Sequence, residues 1–243
     1  MNTESHDVPD PDFTFAFQPI VDVVTREIFS YEALIRGVHN ESAGHILGQV
    51  SPGSMHRFDQ QARVKAILLA AHLGIDCHLN LNMMPLGLIS SAESVRSTVE
   101  AANRTHFPVE HIVLEVLEGE AIDDPVRFAE QINAYRGLGM MVAIDDFGAG
   151  YSGLNLLAEF QPDQIKLDMQ LVRRIESNGP RQAIVRAVGQ VCHDLGIDVI
   201  AEGVETASEY AWLVRNGVRL IQGYLLAKPG FECLPKVHYP EIS

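Results

Sequence analysis

No apolar run in this 243-residue chain is long enough to cross a bilayer, which would take about 20 consecutive apolar residues in one helix. The start, MNTESHDVPDPDF, is polar and acidic and lacks the apolar segment of a signal peptide. The sequence therefore predicts a chain that is neither exported nor anchored by its own sequence, and that works in the cytoplasm. Cysteine is scarce: Cys77, Cys192 and Cys233 are odd in number, far apart and without CxxC spacing. That argues against a disulfide framework or a zinc site and predicts reduced, buried thiols. Positive charge is also short, with 18 Lys and Arg against 32 Asp and Glu, a formal net charge of −14. Such a balance argues against binding a nucleic-acid polymer, which needs a basic face. It leaves a small anionic substrate open, because bound cations invert a local field. Neither a dinucleotide GxGxxG nor a phosphate-loop GxxxxGK occurs, and His72, His78 and His193 fall outside any HxxxH or HExxH pattern. The one tryptophan, Trp212, sits in a helical stretch and reads as packing.

What is present is an alternation of strands and helices. Residues 1–11 read as a disordered leader, and residues 12–243 as a single domain. FTFAFQPIV and IFSYEALIRG form a hairpin across VTRE. CHLNLN, HIVLEV, MVAIDD, DQIKLD, DVIAEG and VRLIQG read as short buried strands. Between them lie helical stretches at 58–73, 91–103, 125–138, 181–195 and 207–216. Four of these are stopped by Gly74, Gly139, Gly196 and Gly217, as expected of residues that adopt the left-handed conformation freely. Short connections and β-branched runs predict an α/β architecture with a mostly parallel sheet. Seven or eight such steps in this length favour a closed (β/α)8 barrel, whose chemistry sits at the C-terminal ends of its strands.

Polar residues fall at those places. Glu32, Asn80, Glu115, Asp145, Asp146, Glu202 and Glu205 each follow or end an apolar run, and Lys166 closes another. Carboxylates brought to one face must bind protons or cations. An all-oxygen set favours Mg²⁺ or Mn²⁺ over zinc. Taken singly, each has a bland reading: a strand glutamate in an ion pair, a turn asparagine, a surface lysine. Their joint placement favours a metal site.

Five segments occur in order: YEALIRG (31–37), MVAIDDFGAGYSGL (141–154), DQIKLD (163–168), IAEGVET (200–206) and IQGYLLAKP (221–229). Together they closely resemble the EAL-domain family, the cyclic di-GMP phosphodiesterases, over about residues 15–229. The resemblance implies a modified (β/α)8 barrel of TIM type, usually dimeric, that hydrolyses cyclic di-GMP to linear pGpG with two metal ions. It also implies roles. Glu32, Asn80 and Glu115 are similar to the ligands of the first metal. Asp145 would bridge the two metals and Asp146 would hold the second, with Glu202 nearby. Lys166 would contact the attacking water or the phosphate, and Gln222 would position the water. Glu205 would support the site from behind, Gln18 and Arg36 would contact substrate, and Glu118 would anchor the loop after the paired aspartates. The chemistry agrees: two cations can lower the pKa of a water, orient it and neutralise charge developing on a phosphodiester.

Some positions depart from the family pattern. Leu117 replaces a threonine, Ala149 and Gly153 remove two hydroxyls, and Asn82 stands where a serine is usual. Each lost loop hydrogen bond removes about 1 kcal/mol; no implied ligand is lost. Three rivals remain. A cyclic di-GMP receptor without catalysis would keep the substrate contacts. A Schiff-base lyase would use Lys166 as nucleophile, with a depressed pKa. A pure interaction domain would have an inert site. The chain shows no sensory domain, so regulatory input would come from a partner, a neighbouring region or self-association.

Overall fold

The computed structural model describes residues 10–83, 92–118, 132–150, 157–158 and 161–240. Strands β1 (Phe13–Asp22) and β2 (Glu27–Gly37) form the expected antiparallel hairpin. Its turn is held by Asp22, whose Oδ1 accepts from Val24 N and Thr25 N at 2.9 and 3.2 Å, while Arg219 Nε donates to Oδ2 at 2.6 Å. β3 (His78–Asn82), β4 (Ile112–Leu117), β5 (Met141–Phe147), β6 (Gln164–Leu167), β7 (Asp198–Ala201) and β8 (Leu220–Ile221) then follow β2 as parallel neighbours in chain order. β1 pairs with β2 on one side and with β8 on the other, both antiparallel. The sheet is therefore a closed eight-stranded barrel with one inverted strand. A ninth strand, β9 (Gly230–Phe231), pairs antiparallel with β1 through Ala16 and Phe17, on the edge that β8 meets at Val21 and Asp22.

Helices α1 (Ala43–Leu47), α2 (Met55–His72), α3 (Ala92–Thr105), α4 (132–136), α5 (Met169–Val172), α6 (Gly179–Leu195) and α7 (Ala207–Arg215) are among the described residues. Their ends follow from local chemistry. Asn178 caps α6 by accepting from Arg181 N at 3.1 Å, with Pro180 in the first turn, and Gly196 closes it at φ +72°. Thr206 and Glu209 form a capping box on α7, which satisfies two backbone donors reciprocally.

Side chains alternate across each strand, and the alternation separates a core from a site. Leu79 and Leu81, Leu114 and Val116, Ile165 and Leu167 lie in the apolar layers packed with the helices. The intervening residues Asn80, Glu115 and Lys166 are buried polar groups, 0, 1 and 1% exposed, so they project to the opposite, interior face. Lower in that interior Ile20, Ile200 and Leu220 form a small apolar cluster with Phe29.

Two expectations need correction. Glu32 does not end its strand: β2 runs five residues further, because Ala33–Gly37 still pair with Phe13–Phe17 of β1. β8 holds only two residues of the expected VRLIQG run. Residues 1–9 of the expected leader lie outside the described residues; Asp10 accepts from Arg57 Nη2 at 3.2 Å. Most of the expected 125–138 helix also lies outside; 132–136 is helical and Gly139 ends it at φ +92°.

Candidate metal centre

At one mouth of the barrel, five strands deliver their interior-facing polar side chains to a single point. That point is the Lys166 ammonium. Its Nζ lies 2.7 Å from Glu115 Oε1, 2.7 Å from Glu202 Oε1, 3.2 Å from Asp145 Oδ1 and 3.4 Å from Glu32 Oε2. Two amides extend the cluster. Asn80 Nδ2 donates to Glu115 Oε1 at 2.9 Å, and Gln222 Nε2 donates to Glu32 Oε2 at 2.8 Å. Asn82, a departure from the family pattern, donates to the other Glu32 oxygen at 3.3 Å. Glu32 is thereby gripped at both oxygens, a contact the sequence reading did not foresee.

One ammonium faces four carboxylates, and the titration behaviour follows. Burial pulls the Lys166 ammonium down, but Asp145, Glu115, Glu202 and Glu32 outweigh it and hold its pKa well above the ordinary lysine value. This is the opposite of what an amine nucleophile needs and removes the Schiff-base reading. Burial, reinforced by Glu32 and Asp145 and opposed by Lys166, pushes Glu115 well above the carboxylate range. Burial, then Asp145 and Glu32, raises Glu202 to about 8 against the pull of Lys166. Asp146 is pushed up to about 6 by burial, then by Asp145 and Asp168.

Such a site fits hard cations on its own chemistry. Asn80 Oδ1 and Glu115 Oε2 are buried oxygens with no hydrogen-bond partner, a costly state unless something positive meets them. Beside them, Asp145, Asp146 and Glu202 each offer an oxygen, all within 4.8 Å of one another, the one such acidic or metal-ligating group among the described residues. Every donor is oxygen, as Mg²⁺, Mn²⁺ or Ca²⁺ require.

These carboxyls carry a pH prediction for the metal-free protein. Their folded pKa values are raised, so the native state holds protons that the unfolded chain releases near the ordinary carboxylate value. Stability is fully present below about 4.5 and is lost as pH rises through about 6 and then about 8, the values for Asp146 and Glu202. Lys166 adds no slope there, since it stays protonated in both states. The midpoint of thermal unfolding in a chelator therefore falls from pH 5 to pH 8.5, and excess Mg²⁺ reduces the fall; a flat or rising midpoint in chelator contradicts this.

The loop after β5 is built for close approach. Asp146 takes φ +53° and Gly148 φ +97°, and a Cβ at Gly148 would collide with Leu171. Glu118, 3% exposed, accepts from Gly148 N at 2.5 Å and Gly150 N at 3.4 Å, which ties this loop to the end of β4. A strained non-glycine at a cluster of charges is stored strain of the kind found at functional sites. Asp168 serves twice: it caps α5 by accepting from Gln170 N at 2.7 Å and bears on the Asp146 carboxyl. Gly153 lies outside the described residues.

A cavity of about 270 Å³ opens above the cluster, walled by Gln18, Glu32, Asp145, Lys166, Glu202 and Gln222 and rimmed by Met169, Arg173 and Tyr224. Gln18 faces Glu32 across the hairpin and donates to Ala227 O at 3.1 Å. Glu205 also lines the cavity, but at its rim, pairing with Arg173 Nη2 at 2.6 Å. Arg173 was not legible as a site residue, since an arginine at the end of a short helix is usually solvated. Arg36 is not among the lining residues. It lies beyond the barrel mouth on β2, opposite Thr14, and its Nη1 donates to Ile35 O at 2.7 Å. Trp212 packs partly buried against the helical layer, with the Arg186 guanidinium 6.0 Å from its ring centroid.

Comparison with known proteins agrees with this architecture. The chain is 35% identical over 228 residues to the "Blue light- and temperature-regulated antirepressor BluF" of Escherichia coli K12, covering 93% of the chain and 57% of the relative. It is 33% identical over 171 residues to "Cyclic di-GMP phosphodiesterase RocR" of Pseudomonas aeruginosa, covering 70% of the chain and 42% of the relative. The chain thus spans roughly half the length of these curated relatives. Among solved structures, a standalone versatile EAL protein of Vibrio cholerae O395 in its c-di-GMP-bound form superposes with a TM-score of 0.91 at 48% identity, over 95% of this chain and 98% of that one. The manganese/cyclic di-GMP complex of Klebsiella pneumoniae BlrP1 superposes with a TM-score of 0.88 at 38% identity, over 95% and 60%. A family model described as the EAL domain matches residues 5–229. On that near-complete match, and on the carboxylate-ringed lysine inside its barrel, the chain belongs to the EAL domain family.

Proposed function

We propose that the chain is a metal-dependent phosphodiesterase that hydrolyses cyclic di-GMP to linear pGpG, using two Mg²⁺ or Mn²⁺ ions. The observation that carries this is the pair of partnerless buried oxygens, Asn80 Oδ1 and Glu115 Oε2, beside Asp145, Asp146 and Glu202. Glu32, Asn80, Glu115 and Asp145 would hold one cation, and Asp145, Asp146 and Glu202 the other. When bound, such a pair supplies the Lewis-acid charge that makes water nucleophilic and neutralises a phosphoryl group. The protein's own groups do the rest. Gln222 and Asn82 fix the Glu32 carboxylate at both oxygens. Lys166 would place a point charge beside the phosphate, and Glu202 lines the cavity wall 2.7 Å from the Lys166 ammonium. Gln18, in the cavity wall, would contact substrate there, and Arg36 would do so only if its side chain left Ile35 O. Glu205 restrains Arg173 at the rim, and Glu118 holds the loop after β5. In this reading residues 12–243 form one domain, the chain works in the cytoplasm as a homodimer, and a sensory domain or partner supplies its input.

The relative named an antirepressor favours a second reading, a cyclic di-GMP receptor with little or no turnover. Product analysis after incubation with cyclic di-GMP separates them: pGpG forms with the phosphodiesterase, and intact nucleotide is recovered with the receptor. Ca²⁺ gives a further test. Its larger, looser coordination shell holds water less rigidly than the octahedral shell of Mg²⁺, so turnover with Ca²⁺ is at least about tenfold lower than with Mg²⁺ or Mn²⁺. Equal rates contradict two-metal positioning.

A further inference from the structure

Among the described residues, Tyr224 is the one aromatic in the set of exposed large hydrophobic side chains, 55% exposed. It is placed at the rim of the cavity that holds Glu202, Asp145 and Lys166. Its backbone is fixed. Val204 N donates to Gln222 O and Leu225 N to Val204 O, both at 3.1 Å, so residues 222–225 are laced to the segment after β7. Gly223 lies so close to Val204 that any side chain there would collide with the Val204 backbone. The residue before the glycine, Gln222, reaches down to Glu32 at 2.8 Å. The residue after it stays at the surface. The Lys228 ammonium stands 5.6 Å from the Tyr224 ring centroid, near enough to attract the ring's electron-rich face.

A cavity of about 270 Å³ is below the roughly 300–1,000 Å³ of a pocket that engulfs a drug-sized ligand. A cyclic dinucleotide seated by its phosphate at the acidic cluster must then leave a base at the rim. An aromatic face on a rigid backbone is what a base stacks on, and the loss of such a face typically costs about 1–3 kcal/mol per base.

We propose that Tyr224 is a substrate-binding residue, a stacking platform for one purine of the dinucleotide, with Lys228 beside it. This rests on the phosphodiesterase reading and extends it to how one base is held. The stacking uses the ring face, so the hydroxyl is dispensable. In steady-state kinetics of the full chain with Mn²⁺ and cyclic di-GMP, Tyr224→Ala raises KM about 5- to 150-fold with kcat changed less than about threefold. Tyr224→Phe keeps KM within about twofold of wild type. An unchanged KM in Tyr224→Ala, or equal losses in both variants, overturns the stacking role. Calorimetric titration of cyclic di-GMP in Ca²⁺ runs alongside with the same three proteins. If the wild type binds without turning over, the phosphodiesterase reading fails while the binding constants still decide the role of Tyr224. If it neither binds nor turns over, both fall together.

Discussion

Replacing Asp145 with alanine lowers cyclic di-GMP hydrolysis by at least about three powers of ten, or about 4 kcal/mol of transition-state stabilisation. The reason is its position. Asp145 and Glu202 both contact Lys166, at 3.2 and 2.7 Å, and both belong to the Asp145–Asp146–Glu202 group, but Asp145 alone is proposed to hold both cations, so its loss disturbs both proposed cation positions at once. Glu32→Ala has the same effect through one position, because it removes the carboxylate that Gln222 and Asn82 orient. Neither substitution opens the apolar layers, since both side chains project to the barrel interior. Far-ultraviolet circular dichroism of the variants therefore matches the wild type, and calorimetry shows weakened Mn²⁺ binding. Near wild-type turnover at saturating metal in either variant refutes the assignment.

Lys166→Met carries the largest expected effect on stability. The ammonium is 1% exposed and touches four carboxylates. Removing one partner of a buried ionic cluster leaves uncompensated charge and costs about 3–5 kcal/mol. For a domain of this size that lowers the midpoint of thermal unfolding by about 6–20 °C in chelator. Protons are the only other compensation, so the deficit grows with pH, and excess Mg²⁺ recovers part of it by meeting the same oxygens. Turnover falls as well, because Lys166 is the cation among the carboxylates of the cluster, whereas Arg173 in the same cavity is paired with Glu205. A midpoint within about 2 °C of wild type at pH 8 contradicts a site held together by this one lysine.

Much of the barrel was legible because its signals are local. Gly74, Gly196 and Gly217 mark helix ends by a backbone conformation that no distant contact needs to impose. The Leu79–Asn80–Leu81 and Ile165–Lys166–Leu167 triplets announce strands with one polar interior position. Other features depend on contacts far apart in sequence. The closure of β1 onto β8 pairs Val21 with Ile221, and nothing in either segment names the other. β9 and α1 are too short to impose a period. The placement of Glu32 in mid-strand follows from the length of the hairpin rather than from the YEAL segment itself. The candidate residues divide in the same way. Interior positions on consecutive strands converge because the barrel's geometry forces them to. Rim residues do not: Glu205 meets Arg173, Arg36 stays beyond the mouth, and Tyr224 carries no signal of its own within IQGYLLAKP.

The most direct measurement is chromatographic separation of the nucleotides after the purified protein is incubated with cyclic di-GMP, in Mg²⁺ or Mn²⁺ and in excess chelator. The expected result is conversion to linear pGpG with either ion and intact cyclic di-GMP in chelator. Intact substrate in every metal, or pGpG formed equally in chelator, would contradict a carboxylate cage that arms water through bound cations.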